Sequence, residues 1–216
     1  MRVPPSSGGV RLVVATANRG KLVELTDLVR HLPIDVVGVA DVLETPPRVV
    51  EDGATFAENA LKKARAVAVA TGMLTLADDS GLEVDVLGGR PGVRSARFAR
   101  EGATDAENNA ALLAALGEVV PNADGPSLSA RFRCVLALID PRSPEPNVHT
   151  VEGVCEGTIE RTPHGTGGFG YDPIFLVAGS DKTMAELPLG EKNRVSHRAR
   201  AWAALLPLLE KLLAER

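Results

Sequence analysis

From Arg11 the chain reads RLVVATA, a short apolar run that ends in small and polar residues; Leu22, Leu25, Val29 and Leu32 then follow at spacings of three and four. The first pattern is a strand. The second is the buried face of a helix, which Pro33 closes, and a second strand runs from Ile34 to Val39. Asp41 to Gly53, with Pro46 and Pro47, is expected to be a loop. Thr55 followed by Glu58 is a capping box that opens the helix TFAENALKKARAVAVA, ending near Gly72. LTLAD is a strand whose acidic pair falls at its end, and LEVDVLGG carries on with strand-like alternation to Gly88 and Gly89. Thr104 and Glu107 make a second capping box, for a helix predicted to stop at Gly117. ARFRCVLALID and VHTVEGVCEGTIE, joined by PRSPEP, are predicted antiparallel neighbours, and a last helix starts near Ser196 with Pro207 inside it. Strand–helix units combined with a long hairpin imply an α/β protein built on a mixed sheet.

Composition narrows the function classes. The 216 residues suffice for one sizeable domain, with residues 1–10 read as a flexible leader and 11–216 as a single domain. Aromatics are only 3%, so Val, Leu and Ala must fill the core. A net charge of −4 argues against nucleic acid as the main partner, although a local basic pocket is compatible with it. No apolar run approaches a membrane span and the N-terminus has no signal-peptide core, which points to a soluble cytoplasmic protein. Cys134 and Cys155 lie in no CxxC or zinc-spaced cluster and read as small core residues.

Four segments carry candidate chemistry. TANRGK (Thr16, Ala17, Asn18, Arg19, Gly20, Lys21) sits where a strand gives way to a helix, so free N–H groups, a mobile Gly20 and the Lys21 ammonium suit a polyphosphate; the Walker spacing is absent. ADDSG places Asp78 and Asp79 side by side. In a strand they point to opposite faces, so one faces a site while the other ties down the loop; Glu51 or Glu58 would complete an oxygen site suited to Mg²⁺. The competing reading is an acidic turn that caps backbone amides. GTGGFGYDPIF holds four glycines, Tyr171 and two phenylalanines, a backbone open to close approach beside an aromatic stacking surface, with Phe175 left in the core. EKNRVSHR sets Lys192, Arg194, His197 and Arg198 around the start of the last helix, behind Ser196 as N-cap. Neither a serine-nucleophile elbow nor a metal-spaced histidine set is present.

Taken in order, TANRGK, TFAENALKKA, ADDSGLEVDVLGGRPGVRSARFA, GTGGFGYDPIF and EKNRVSHR resemble the inosine triphosphate pyrophosphatase family over essentially Arg11 to the C-terminal helix. The resemblance implies an elongated two-lobed α/β fold, a central twisted mixed sheet and an active-site cleft between the lobes. It also implies a homodimer and Mg²⁺-dependent hydrolysis of ITP, dITP and XTP to the monophosphate and pyrophosphate. Carried over by position, Asp79 is the general base, Asp79 and Glu51 the metal carboxylates, and Ser80 a substrate contact. Thr16 to Lys21 and Lys63 hold the triphosphate, while Phe169, Gly170, Tyr171, Asp172, Lys192, His197 and Arg198 form the base and sugar pocket. Water attacks the α-phosphorus, with Asp79 or a metal-bound hydroxide taking the proton. A sensor without catalysis, or a pyrophosphatase for other modified nucleotides, is the alternative. Ala17 stands where many relatives carry Gly, and Arg94, where an aromatic is common, marks a contact of the implied dimer.

Overall fold

The computed structural model describes residues 10–121, 128–142 and 147–214. All of the expected leader but Val10, and most of the PRSPEP turn, lie outside those residues. The strands β1 (Val10–Val14), β2 (Ile34–Gly38), β3 (Leu74–Val84), β4 (Ser129–Asp140), β5 (Asn147–Ile159) and β6 (Phe175–Val177) form one sheet in the order β2-β1-β3-β4-β5-β6. β1 is parallel to β2 and β3, and β6 is antiparallel to β5, so the sheet is mixed as expected. Residues 141–146 are too few for a parallel crossover, which makes β4 and β5 an antiparallel hairpin.

The chain divides into two compact units: Met1–Asp79 with Val135–Gly153 and Ala201–Arg216, and Ser80–Cys134 with Val154–Arg200. In the first, the helix α1 (Arg19–Val29) follows β1 and the helix α3 (Phe56–Thr71) leads into β3. Val13 and Val14, Leu25 and Val29, Ala60 and Ala64, and Leu74 and Leu76 are buried there, as the periodicity requires. Thr55 caps α3 by accepting from Glu58 N at 3.2 Å, and Gly72 closes it in the left-handed region. The Glu58 carboxylate accepts from Ala54 N at 2.7 Å, so it serves the helix start and not a metal. A short helix α2 (Val39–Val42) interrupts the segment read as loop, because the Asp41 carboxylate takes the N–H of Gly38 at 3.0 Å and caps that turn.

One expectation needs correction: Asp78 and Asp79 lie inside β3, not at its end. β1 stops pairing at Val14↔Leu76 and Ala15 N donates to Leu76 O at 2.8 Å, so β3 carries the acidic pair past the end of its neighbour. Aspartate is depleted in strands, and here lysine partners offset the burial.

In the second unit the helix α4 (Asp105–Val119) opens on the expected Thr104–Glu107 box and runs two residues past Gly117. Its Leu112 and Leu116 pack with Leu82, Val84, Phe132, Ile174 and Phe175 in the core of that unit, where the Phe175 ring meets Phe132 tilted, with centroids 4.5 Å apart. Cys155 is buried here, and burial pushes its thiol up to about 11; neither cysteine is in a disulfide. EKNRV forms a helix of its own, α5 (Leu189–Val195), instead of leading directly into the last helix, α6 (His197–Ala214). Ser196 separates them: its N–H closes α5 on Lys192 O, and its Oγ accepts from Ala199 N at 3.2 Å, the expected N-cap.

Candidate active site

The first unit assembles a chain of alternating charges. Lys63, on α3, places its ammonium 2.7 Å from Asp79 Oδ1 and 2.8 Å from Glu51 Oε2. Lys21, in the first turn of α1, lies 2.5 Å from Asp78 Oδ1. The two neighbouring aspartates thus engage different lysines, as opposite faces of a strand require. Lys63 is reached from α3 and Asp79 from β3, while Glu51 comes from the loop before Thr55. That loop is pinned by Asn59, whose Oδ1 accepts from Gly53 N at 2.8 Å.

Burial raises the Asp79 carboxyl to about 6, even though Lys63 and Lys21 pull it down; Glu51 beside it adds to the rise. For Glu51, burial works upward, but the charge and hydrogen bond of Lys63 outweigh it and the net direction is down. Lys63 feels burial as a lowering, and its two carboxylates more than offset this, so its ammonium is held above the usual lysine value. Mg²⁺ characteristically takes one or two carboxylates and fills the rest of its shell with water and substrate phosphate. Glu51 and Asp79, close enough to share the one lysine, fit that requirement as a donor pair. No cluster of three or more His, Cys, Asp or Glu occurs among the described residues.

The TANRGK segment also belongs to this unit. Asn18 is the N-cap of α1, accepting from Lys21 N at 3.1 Å, and its own N–H donates to Thr16 Oγ1 at 3.1 Å. Ala17, Asn18 and Arg19 are exposed. Gly20 is not a mobile loop residue, because it lies in the first helical turn. The arrangement gives a helix N-terminus with solvent-facing amides and a lysine at its mouth.

The second unit brings the other predicted residues together. Asp172 Oδ2 accepts from Phe169 N at 2.9 Å and from Lys192 Nζ at 2.5 Å. Asp172 and Lys192 are both buried. Lys192 Nζ lies 5.1 Å and the Arg198 guanidinium 5.5 Å from the centre of the Phe169 ring, a double cation–π contact. Arg198, 1% exposed, donates from Nη2 to Ser80 Oγ at 3.1 Å, and the His197 ring stacks on Phe132 at 4.8 Å. A Cβ at Gly168 would fall on the Asp172 carboxylate, which is why that position needs glycine. Phe169, half-buried, is the aromatic available for stacking. Tyr171, predicted beside it, turns into the core and donates its hydroxyl to Ser95 O at 2.8 Å, because a phenol carries enough apolar surface to be buried once its O–H is satisfied.

Some of this escaped the sequence reading. The pairing of Lys21 with Asp78, the stacking of Phe132 under His197, and two α4 side chains, Asp105 and Asn109, that reach Gly170 were not anticipated. For the last pair the only signal available was polar residues four apart at a helix start, a pattern shared with ordinary solvated faces.

Comparison with known proteins finds similar proteins over most of the chain. A dITP/XTP pyrophosphatase of Geobacter sulfurreducens is 51% identical over 195 residues, covering 90% of this chain and 94% of its own length. One from Desulforamulus reducens is 49% identical, covering 94% and 97%. Among solved structures, a HAM1 protein from Coxiella burnetii superposes with a TM-score of 0.81 at 42% identity, covering 94% of this chain and 99% of that one. The family model described as Ham1 matches residues 12–208, a span that contains both charged clusters, and the chain belongs to the Ham1 family.

Proposed function

We propose that this protein hydrolyses deaminated purine nucleoside triphosphates (dITP, XTP and ITP) to the nucleoside monophosphate and pyrophosphate, removing them from the nucleotide pool. The observation that carries the reading is the Glu51–Lys63–Asp79 cluster beside the amide-lined start of α1, charge chemistry suited to a triphosphate and its reacting phosphorus. The names of the relatives carry two of these substrates, dITP and XTP. The phosphates lie against Thr16 to Lys21 and Lys63, whose N–H groups and ammoniums offset the charge that grows on departing pyrophosphate. Asp79 accepts a proton from the attacking water while a new O–P bond forms at the α-phosphorus and the bridging O–P bond to the β-phosphate breaks. A carboxyl raised to about 6 is matched to that task near neutral pH. Asp79 and Glu51 would hold Mg²⁺, which supplies charge neutralisation to the phosphates when bound.

Base choice falls to the second cluster. Inosine and xanthosine present a 6-keto acceptor where adenosine presents a 6-amino donor, and Lys192, His197 and Arg198 are donors. With ATP a donor would face a donor, which supplies rejection as well as recognition. Guanine shares the 6-keto group, so its 2-amino substituent must be excluded by the Phe169–Asp172 turn.

The test is a substrate panel: dITP, XTP, ITP, dATP, dGTP and modified pyrimidine triphosphates with Mg²⁺, pyrophosphate release being measured and EDTA and Asp79→Asn serving as controls. Preferential release from dITP, XTP and ITP over dATP and dGTP, abolished by both controls, is expected. Binding without release would make the protein a sensor, and preference for a modified pyrimidine would replace the substrate class. The working form in this reading is a homodimer with the exposed Arg94 near its contact. No helix among the described residues is long and apolar enough to cross a membrane.

A further inference from the structure

Phe169 to Asp172 form a tight turn, with Asp172 N donating back to Phe169 O at 3.3 Å. Gly170 has φ +62 and Tyr171 lies at φ −91, ψ 9, the type II′ pattern that calls for glycine at its first central position. Both peptides flanking Gly170 are gripped by α4. The Asp105 carboxylate accepts from Gly170 N at 2.7 Å, and Asn109 Nδ2 donates to Gly170 O at 2.9 Å. Asp105 and Asn109 are four residues apart, so they share one face of the helix. Asn109 is itself steadied by a second bond, from Nδ2 to Asp105 O at 2.9 Å.

Packing anchors the Tyr171 end of this turn, whose ring is buried in the core, but not the side that faces α4. A cavity of about 480 Å³ lies between α4 and the loop, lined by Ala106, Ala110 and Leu113 on the helix side and by Pro163, Thr166 and Gly168 on the other. Over that stretch the loop spans open space, and a turn held at glycine is free to rotate its peptides unless hydrogen bonds forbid it. What the turn carries is chemically consequential. Phe169 on one side meets Lys192 and Arg198, and Asp172 on the other holds the Lys192 ammonium.

We propose that Asp105 and Asn109 are positioning residues for nucleobase selection: by clamping the N–H and the carbonyl of Gly170 they fix Phe169 and Asp172, and through them the donors that face the base. Neither touches substrate; both act through the turn. The inference rests on reading the Phe169–Arg198 cluster as the base site.

The test uses the full chain with Mg²⁺ and compares kcat and KM for dITP and dATP in four proteins: wild type, Asp105→Ala, Asp105→Asn and Asn109→Asp. Asn109→Asp keeps shape and loses the donor, setting a carboxylate against the Gly170 carbonyl. A single net hydrogen bond corresponds to roughly a threefold to tenfold effect. Asp105→Ala and Asn109→Asp should therefore raise KM for dITP by about that factor with kcat little changed, and narrow the dITP:dATP ratio of kcat/KM. Asp105→Asn, whose amide oxygen still accepts from Gly170 N, should retain the wild-type ratio. Circular dichroism identifies a variant that fails to fold, and the isosteric Asn109→Asp then decides alone. If the wild type discriminates and Asn109→Asp leaves KM and the ratio unmoved, the positioning role is wrong while the base-site reading stands. If the wild type itself does not prefer dITP to dATP, the base-site reading falls and takes the clamp with it.

Discussion

Replacing Lys63 by Met keeps the stem length and the helix while deleting the ammonium that sits between Asp79 and Glu51. Removing one partner of a buried ion pair ordinarily costs about 3–5 kcal/mol. Two features reduce that here. The Glu51 side chain is 37% exposed, so its half of the bridge behaves as a surface pair worth about 0–1 kcal/mol. Asp79 has an escape, because it can take up a proton. Its folded value of about 6 against 3.8 for the free group means that ionised Asp79 already costs the fold about 3 kcal/mol above pH 6. Without Lys63 its value rises further and the group stays protonated at pH 7, at a cost of about 4 kcal/mol relative to an ionised unfolded chain. The added loss through Asp79 is then about 1 kcal/mol at pH 7 and grows as pH rises above it. At pH 5 the group is protonated in both folded proteins and the difference closes. The sign follows from the raised value: between 3.8 and 6 the native state holds more protons than the unfolded one, so this group's contribution to stability falls as pH rises through that window. Urea unfolding in EDTA at pH 5, 6, 7 and 8 reads it directly. A destabilisation that is constant across the series, or largest at pH 5, would show that Asp79 is not the group Lys63 holds in check.

Arg198→Ala should lower kcat/KM for dITP much more than for dATP, whereas Lys21→Ala should weaken both alike through the phosphates; equal losses in Arg198→Ala would make that arginine a phosphate ligand. Light scattering at working concentration should give about twice the 22.7 kDa chain mass, and a monomer mass would remove the dimer from the reading.

The elements read most easily from the sequence are those in which local chemistry and tertiary demand coincide. The capping residues Thr55, Thr104 and Ser196, and the closing Gly72, sit where their pattern put them because each satisfies backbone groups within a turn of its own position. Asp78 and Asp79 defeated local reading for the opposite reason. Propensity ends a strand at two aspartates, yet β3 runs on to Val84 because Lys21 and Lys63, distant in sequence, supply the countercharge. Tyr171 was misplaced by a similar blind spot. Its burial depends on an acceptor 76 residues away, and a sequence window cannot see Ser95 O. The same distance effect hides the α4 clamp, since Asp105 and Asn109 have ordinary places in a capped helix until the fold brings Gly170 to them. The motifs therefore mark which residues do chemistry, and the long-range polar contacts set the state in which those residues work. That difference is measurable: changing Asp79 should remove turnover, whereas changing Asp105 or Asn109 should shift a selectivity ratio and leave turnover in place.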